Sequence, residues 1–159
     1  MEKIFQNLKC SIFFLLFFLL SFSFFFGVAF ASKENGIIDE NYKYAWGENI
    51  GWINFDCDDC NVSVKDQYLS GYAWSSNFGW INLNPENSGV KNDGKGKLSG
   101  YAWGKNIGWI NFDGVTIESD GEFLGYATIK NNNSKISFNC INTNSCDKED
   151  FKVETDWRN

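Results

Sequence analysis

One aromatic phrase recurs along this chain and constrains everything else. Tyr101-Ala102-Trp103-Gly104-Lys105-Asn106-Ile107-Gly108-Trp109-Ile110-Asn111-Phe112 has one copy from Tyr72 to Leu83 and an earlier one from Tyr44 to Phe55. A worn fourth copy begins at Gly125-Tyr126-Ala127 and ends at Ile136-Ser137-Phe138, with both tryptophans gone. Trp46, Trp74 and Trp103 set a period of 28 and then 29 residues. A fixed period this short predicts a tandem repeat whose units bury their apolar faces against neighbours. The units fall at about residues 37–64, 65–92, 93–117 and 118–157.

The runs are short, aromatic and β-branched, and Gly, Asn and Asp punctuate them. That is strand and turn chemistry, with no helical period after residue 31. Trp103 and Trp109 flank a symmetric Gly-Lys-Asn-Ile-Gly loop and are expected to face each other across a hairpin. Phe112-Asp113-Gly114-Val115 reads as a two-residue type I′ turn, which sets Ile110 opposite Ile117. Glu118-Ser119-Asp120-Gly121-Glu122 closes the next turn. Strand side chains alternate between faces. One face collects Leu98, Gly100, Ala102, Ile110, Phe112, Val115, Ile117, Phe123, Gly125 and Ala127, and is a core with Phe112 opposite Gly100. The other collects Ser99, Tyr101, Trp103, Trp109, Asn111, Thr116, Leu124 and Tyr126. The expected fold is all-β: tandem antiparallel meanders of about 28 residues, forming a sandwich or a rolled sheet of about 10–12 short strands. The ends read as caps. Lys43 stands where Gly71, Gly100 and Gly125 stand in the other units, and Phe151–Trp157 alternates apolar with charged residues, as an outer strand with one wet side would.

Residues 1–31 read as an export signal: Lys3 and Lys9, an apolar run from Ile12 to Phe30, and a small-x-small site at Ala29-Phe30-Ala31. Ser32 is then the first mature residue, and residues 32–159 form the β-repeat domain. The rival reading is an uncleaved membrane anchor, because the run is about 20 residues long. Cys10 precedes the apolar run and is no acylation site. The chain stops abruptly at Arg158-Asn159, which leaves a longer parent protein open. The formal charge is −6, and −7 once Glu2, Lys3 and Lys9 are removed. An acidic chain without a basic cluster argues against nucleic acid as a partner. There is no histidine, which excludes Ser-His-Asp and Cys-His nucleophile systems and His-based zinc sites.

The units resemble a set of uncharacterised exported bacterial proteins built from G-Y-A-W…G-W-I-N-F modules. The resemblance covers most of residues 42–157. It implies an extracytoplasmic β-repeat domain and brings neither an activity nor functional residues with it.

Four cysteines follow the signal. Cys57 comes two residues after Phe55 and Cys140 two after Phe138, at equivalent points of the phrase. The pairs Cys57–Cys60 and Cys140–Cys146 are therefore expected as local disulfides in an oxidising compartment. The alternatives are crossed pairing or a Cys₄ zinc site.

Asp56, Asp58 and Asp59 cluster carboxylates that suit Ca²⁺, but Asp, Asn and Gly are also what tight turns use. No carboxylate pair stands out as acid and nucleophile for glycoside hydrolysis. No catalytic residue, metal or cofactor is expected. The in-phase tyrosines and six tryptophans form either a second buried core or an open face that stacks on sugars. Burial is expected for at least half of the six. The candidate ligand-binding residues are Tyr72, Trp74, Trp80, Asn82, Tyr101, Trp103, Trp109 and Asn111, with Tyr101 and Asn111 at the margin. The expected function is a non-enzymatic structural or adhesive cell-surface module. The alternative is a carbohydrate-binding module using the Trp/Tyr/Asn face, and a glycoside-active enzyme is a remote third. The partner is an unknown surface protein, envelope component or glycan; the membrane enters only if the signal stays uncleaved.

Overall fold

A computed structural model describes residues 35–158, so the signal segment and Cys10 lie outside the described residues. The described chain is all-β apart from one helical turn. Its strands are β1 (Asn35–Gly47), β2 (Gly51–Asn54), β3 (Ser63–Lys65), β4 (Leu69–Ser70), β5 (Tyr72–Ser75), β6 (Gly79–Asn82), β7 (Gly89–Asn92), β8 (Leu98–Gly104), β9 (Gly108–Asn111), β10 (Val115–Ile117), β11 (Phe123–Ile129), β12 (Lys135–Ser137) and β13 (Val153–Thr155), with α1 (Cys140–Thr143) before the last.

Eight strands close into an antiparallel barrel. Going round, β1 pairs β2, then β5, β6, β8, β9, β11 and β12 follow, and β12 returns to β1. The wall is thus four hairpins: β1–β2, β5–β6, β8–β9 and β11–β12. It is a closed ring with extra strands, a form that the expectation of a sandwich or rolled sheet did not specify. The first three hairpins share one register: Trp46 faces Trp52, Trp74 faces Trp80, and Trp103 faces Trp109. Between hairpins the register steps by two residues. Asn54 lies opposite Trp74, Asn82 opposite Trp103, Asn111 opposite Thr128, and Ser137 opposite Trp46. Four such steps give the stagger that closes an eight-stranded barrel with tilted strands.

A ring of this size has an interior just wide enough for side chains. Ala45, Ala73, Ala102 and Ala127 fill it opposite Ile53, Ile81, Ile110 and Ile136, all buried. The hairpin loops plug one mouth. Ile50 and Ile107 fold inward over Gly47 and Gly104, where an added Cβ would press on those isoleucine side chains. Beneath the other mouth lies an aromatic floor. Phe138 is buried there between Phe55, Phe112 and Phe123, with ring centroids 5.5, 5.6 and 5.8 Å away.

The connecting strands build that floor, and here the expected meander fails. The Asp113-Gly114 turn does form, with the Val115 N–H donating to the Phe112 carbonyl at 3.0 Å. Strand β10 nevertheless leaves β9. It pairs the first half of β11, with Val115 opposite Gly125 and Ile117 opposite Phe123. The second half of β11 pairs β9, so Ile110 faces Ile129 and not Ile117. The cause is Gly125, at φ 92°, which bends β11 so that its halves serve two neighbours. A Cβ there would collide with the Gly114 carbonyl. Gly100 does the same for β8, at φ 81°, where β7 pairs the first half. The expected contact of Phe112 with Gly100 holds, as the Phe112 N–H donates to the Gly100 carbonyl at 2.9 Å.

Both local disulfides form, Cys57–Cys60 and Cys140–Cys146, each with Cα atoms 4.9 Å apart. They replace the zinc and crossed-pair alternatives and suit an oxidising, extracytoplasmic compartment. The single helical turn, α1, was not expected. Asn139 caps it through a side chain that accepts from the Ile141 N–H, and Asn144 ends it in the left-handed region. Strand β13 is no open edge: it pairs β1, and its wet side carries Lys152 and Glu154 towards Glu122. Among the described residues no helix is long and apolar enough to cross a membrane.

Candidate ligand-binding face

Strand alternation decides which way the tryptophans point. With Ala45, Ala73 and Ala102 inside the barrel, their neighbours in sequence must face outward. The expected second core is therefore absent. Among the described residues no second layer packs over the three tryptophan hairpins, and Trp52, Trp74, Trp80 and Trp103 are 37, 38, 43 and 39 % exposed, with Trp46 and Trp109 half-buried. What shelters them is their own hairpin. In each of the first three the cross-strand indoles sit with centroids 4.7 Å apart. A tyrosine meets the second indole nearly edge-on: Tyr44 on Trp52, Tyr72 on Trp80 and Tyr101 on Trp109, at 6.1–6.3 Å and 77–78°. Three equivalent Tyr-Trp-Trp triads result, each leaving ring surface to solvent.

The eight candidate residues divide between two hairpins and not along one ladder. Tyr72, Trp74, Trp80 and Asn82 lie together on β5–β6, and Tyr101, Trp103, Trp109 and Asn111 on β8–β9. Asn82 bridges the sets by lying opposite Trp103. The asparagines also have turns to make. The Oδ1 atoms of Asn54, Asn82 and Asn111 accept from the N–H two residues on, at 2.9, 2.9 and 3.0 Å, and Asn111 Nδ2 donates to Asp113. Lys130 reaches from the fourth hairpin to lie 5.0 Å over the Tyr101 ring. The eight candidate residues are themselves uncharged, in a chain with 20 acidic residues.

The first hairpin holds what the sequence reading missed. Tyr42, Tyr44, Trp52, Phe151 and Lys152 line an open groove of about 400 Å³, with Asn41, Glu149 and Asp150 at its edge. Phe151 meets Trp52 at 5.3 Å and 79°, so Trp52 is flanked by rings on both sides. Lys152 lies 4.2 Å over the Tyr42 ring, bound to Glu122 and Glu154. Burial opposes its charge, but those hydrogen bonds outweigh the penalty and raise its pKa well above 10.5. Phe151 comes from outside the repeated phrase, and no spacing within that phrase points to it. The alternating Phe151–Trp157 run was the available signal, and the groove's position depended on β13 pairing β1.

The loop asparagines were missed as well. Asn77 Nδ2 donates to the Ile50 carbonyl at 2.9 Å, and Asn106 Nδ2 to the Phe78 carbonyl at 3.0 Å. Asn49 reaches Ser134 Oγ of the fourth hairpin at 3.4 Å. These tip-to-tip bonds hold the triads at fixed angles around the mouth.

The fourth hairpin lacks the tryptophan pair, and an open cleft of about 670 Å³ lies beside it, lined among others by Trp46, Tyr126, Ser134, Lys135 and Ser137. Thr128 and Lys135 face each other where the tryptophan pairs stand elsewhere. The Tyr126 hydroxyl donates to the Asn142 carbonyl in α1, and Lys135 lies 5.0 Å over its ring. Among the described residues no group of three or more His, Cys, Asp or Glu is gathered to hold a metal ion. No family model matches the chain, and no curated protein or solved structure is significantly similar to it.

Proposed function

We propose that the protein is an exported, non-enzymatic binding module that takes neutral glycan on its outer Tyr/Trp wall. The observation that carries this is the partial exposure of the tryptophan pairs in three hairpins of one register. Indole and phenol rings stack on the apolar faces of sugars, and their polar tips bond hydroxyls. The triads themselves present uncharged rings and amides, which suit a neutral, hydroxyl-rich partner, and the charges beside them, Lys130 over Tyr101 and Glu149, Asp150 and Lys152 at the first groove, are of both signs. The filled barrel interior leaves the outside as the place for a ligand. The four hairpins are read as descendants of one tandem unit, shared with the exported modules that the sequence resembles.

A second reading keeps one observation on its side. Each indole pair spends part of its ring surface on itself, at 4.7 Å. Such pairs stiffen short strands whatever binds outside, as a structural or adhesive module that docks on protein or envelope would need. Acrylamide quenching of the tryptophans separates the two. Neutral oligosaccharides should slow the quenching under the glycan reading. Efficient quenching that no sugar alters, with binding to envelope protein, would replace that reading with the adhesive one.

A further inference from the structure

If glycan stacks on this wall, the number and direction of the stacking sites follow from the barrel. We infer that the protein is trivalent: it holds three separate glycan sites, one on each of the first three hairpins, and so cross-links the chains it binds. The inference rests on the glycan reading and adds to it the stoichiometry and the consequence.

Four hairpins share one closed ring of eight strands. Successive hairpins therefore face directions about a quarter-turn apart. The aromatic contacts respect that division. Among the described residues every Tyr–Trp and Trp–Trp contact on the wall stays within a hairpin, and none joins one triad to the next. A glycan chain is stiff over a few sugars, so a segment lying flat on Trp74 and Trp80 points away from Trp46 and from Trp103. One chain segment occupies one triad, and the other two remain open for other chains. The fourth quarter has no indole pair to stack on: Thr128 and Lys135 stand in its place and Tyr126 is tied to α1, so the cleft there has no triad. The wall therefore carries three sites and not four. The first has an additional ring, because Phe151 extends it into the groove beside Trp52. The tip-to-tip asparagine bonds prevent the triads from swinging round to share one chain. Linked sites of this kind gain through multiple attachment to a polymer, where the second contact forms at high effective concentration.

Isothermal titration of the mature protein with cellotetraose, chitotetraose, xylotetraose and maltotetraose tests this. The expected result is about three molecules of the preferred tetrasaccharide per protein, the first-hairpin site being the tightest. The paired change Trp74→Thr and Trp80→Lys copies the fourth hairpin, which keeps its register with those residues. It should lower the stoichiometry to about two and leave the affinity of the remaining sites unchanged. Light scattering with the matching soluble polysaccharide should rise at intermediate protein and fall again in excess, as cross-linked networks do. A stoichiometry of one, with the paired change abolishing all binding, overturns trivalency and leaves the glycan reading standing. Binding of none of the four sugars overturns the glycan reading and trivalency with it.

Discussion

Changing Trp103 to Ala weighs the outer wall against the core. Trp103 is 39 % exposed and stacks on Trp109. An aromatic side chain brings about 150–250 Å² to its contacts, and roughly three-fifths of this one is covered, about 100–150 Å². At about 25 cal/mol per Å² this is worth about 3 kcal/mol as an upper figure. A compact unfolded state reduces it to about 2 kcal/mol. The lost ring pair adds about 1 kcal/mol. No cavity term arises, because the space opens to water. The expected loss is therefore about 2–3 kcal/mol in all. Phe112 is 2 % exposed and packs on Phe138. Its change to Ala leaves a closed void and should cost about 3–5 kcal/mol. Urea unfolding read by circular dichroism at unchanged m-value measures both. If Trp103→Ala costs as much as Phe112→Ala, the indole is buried and the open wall is wrong. If it costs under about 0.5 kcal/mol, like an ordinary surface change, the stacked pair is not made.

Other perturbations probe separate parts of the molecule. Ser75 stands where Gly47 and Gly104 stand in other hairpins, and its buried hydroxyl has no hydrogen-bond partner. Ser75→Ala should therefore raise stability by about 1 kcal/mol, read as a higher melting temperature; a loss would mean that the hydroxyl is satisfied. Lys152→Met should cost about 1–2 kcal/mol at neutral pH, because it leaves the largely buried Glu122 and Glu154 side chains side by side without their shared cation. The folded pKa of Lys152 is raised, so its contribution is complete below the ordinary value of 10.5 and is lost as pH rises through the folded value. The gap between wild type and variant should stay constant to about pH 10 and narrow only in stronger alkali; a gap that closes by pH 9 would refute the ion-pair account. Non-reducing peptide maps should recover Cys57 with Cys60 and Cys140 with Cys146. Replacing either pair by serine should cost about 2 kcal/mol, since the closed loops are short, and should not unfold the domain.

The residues that specify one hairpin were open to sequence reading. Those that specify the ring were not. Alternation in Tyr101-Ala102-Trp103 put Ala102 and Trp103 on opposite faces with Ala102 in the core, and the symmetric loop put Trp103 against Trp109. The cysteines were legible because Cys57 and Cys140 sit at one repeat position. Closure depends on the two-residue step at contacts such as Asn54 with Trp74, and backbone hydrogen bonds set that step without a side-chain signature. The Asp113-Gly114 turn was read correctly as a turn and wrongly as a hairpin. Local chemistry bends the chain, but the choice of partner for β10 belongs to the kink at Gly125, ten residues later. The expected burial of the tryptophans came from counting apolar surface. That count lacks the fact that each indole pair shelters itself.

The fourth hairpin shows how the fold and the outer aromatic face are separated. It has lost both tryptophans, yet Tyr126 still faces Ser137 and Ala127 still faces Ile136 in the register of the other three. Its inward residues, Ala127 and Ile136, are unchanged in kind and remain buried. The barrel is therefore held by the Ala/Ile interior, the phenylalanine floor and the strand ladder, while the outer positions accept Trp, Thr or Lys. Strand geometry makes this possible, because neighbouring residues address opposite sides of the wall. A change of ligand preference on the outside then costs little inside. The outward aromatics of the other three hairpins are thus not needed for closure of the fourth, which keeps its register and its buried interior without them.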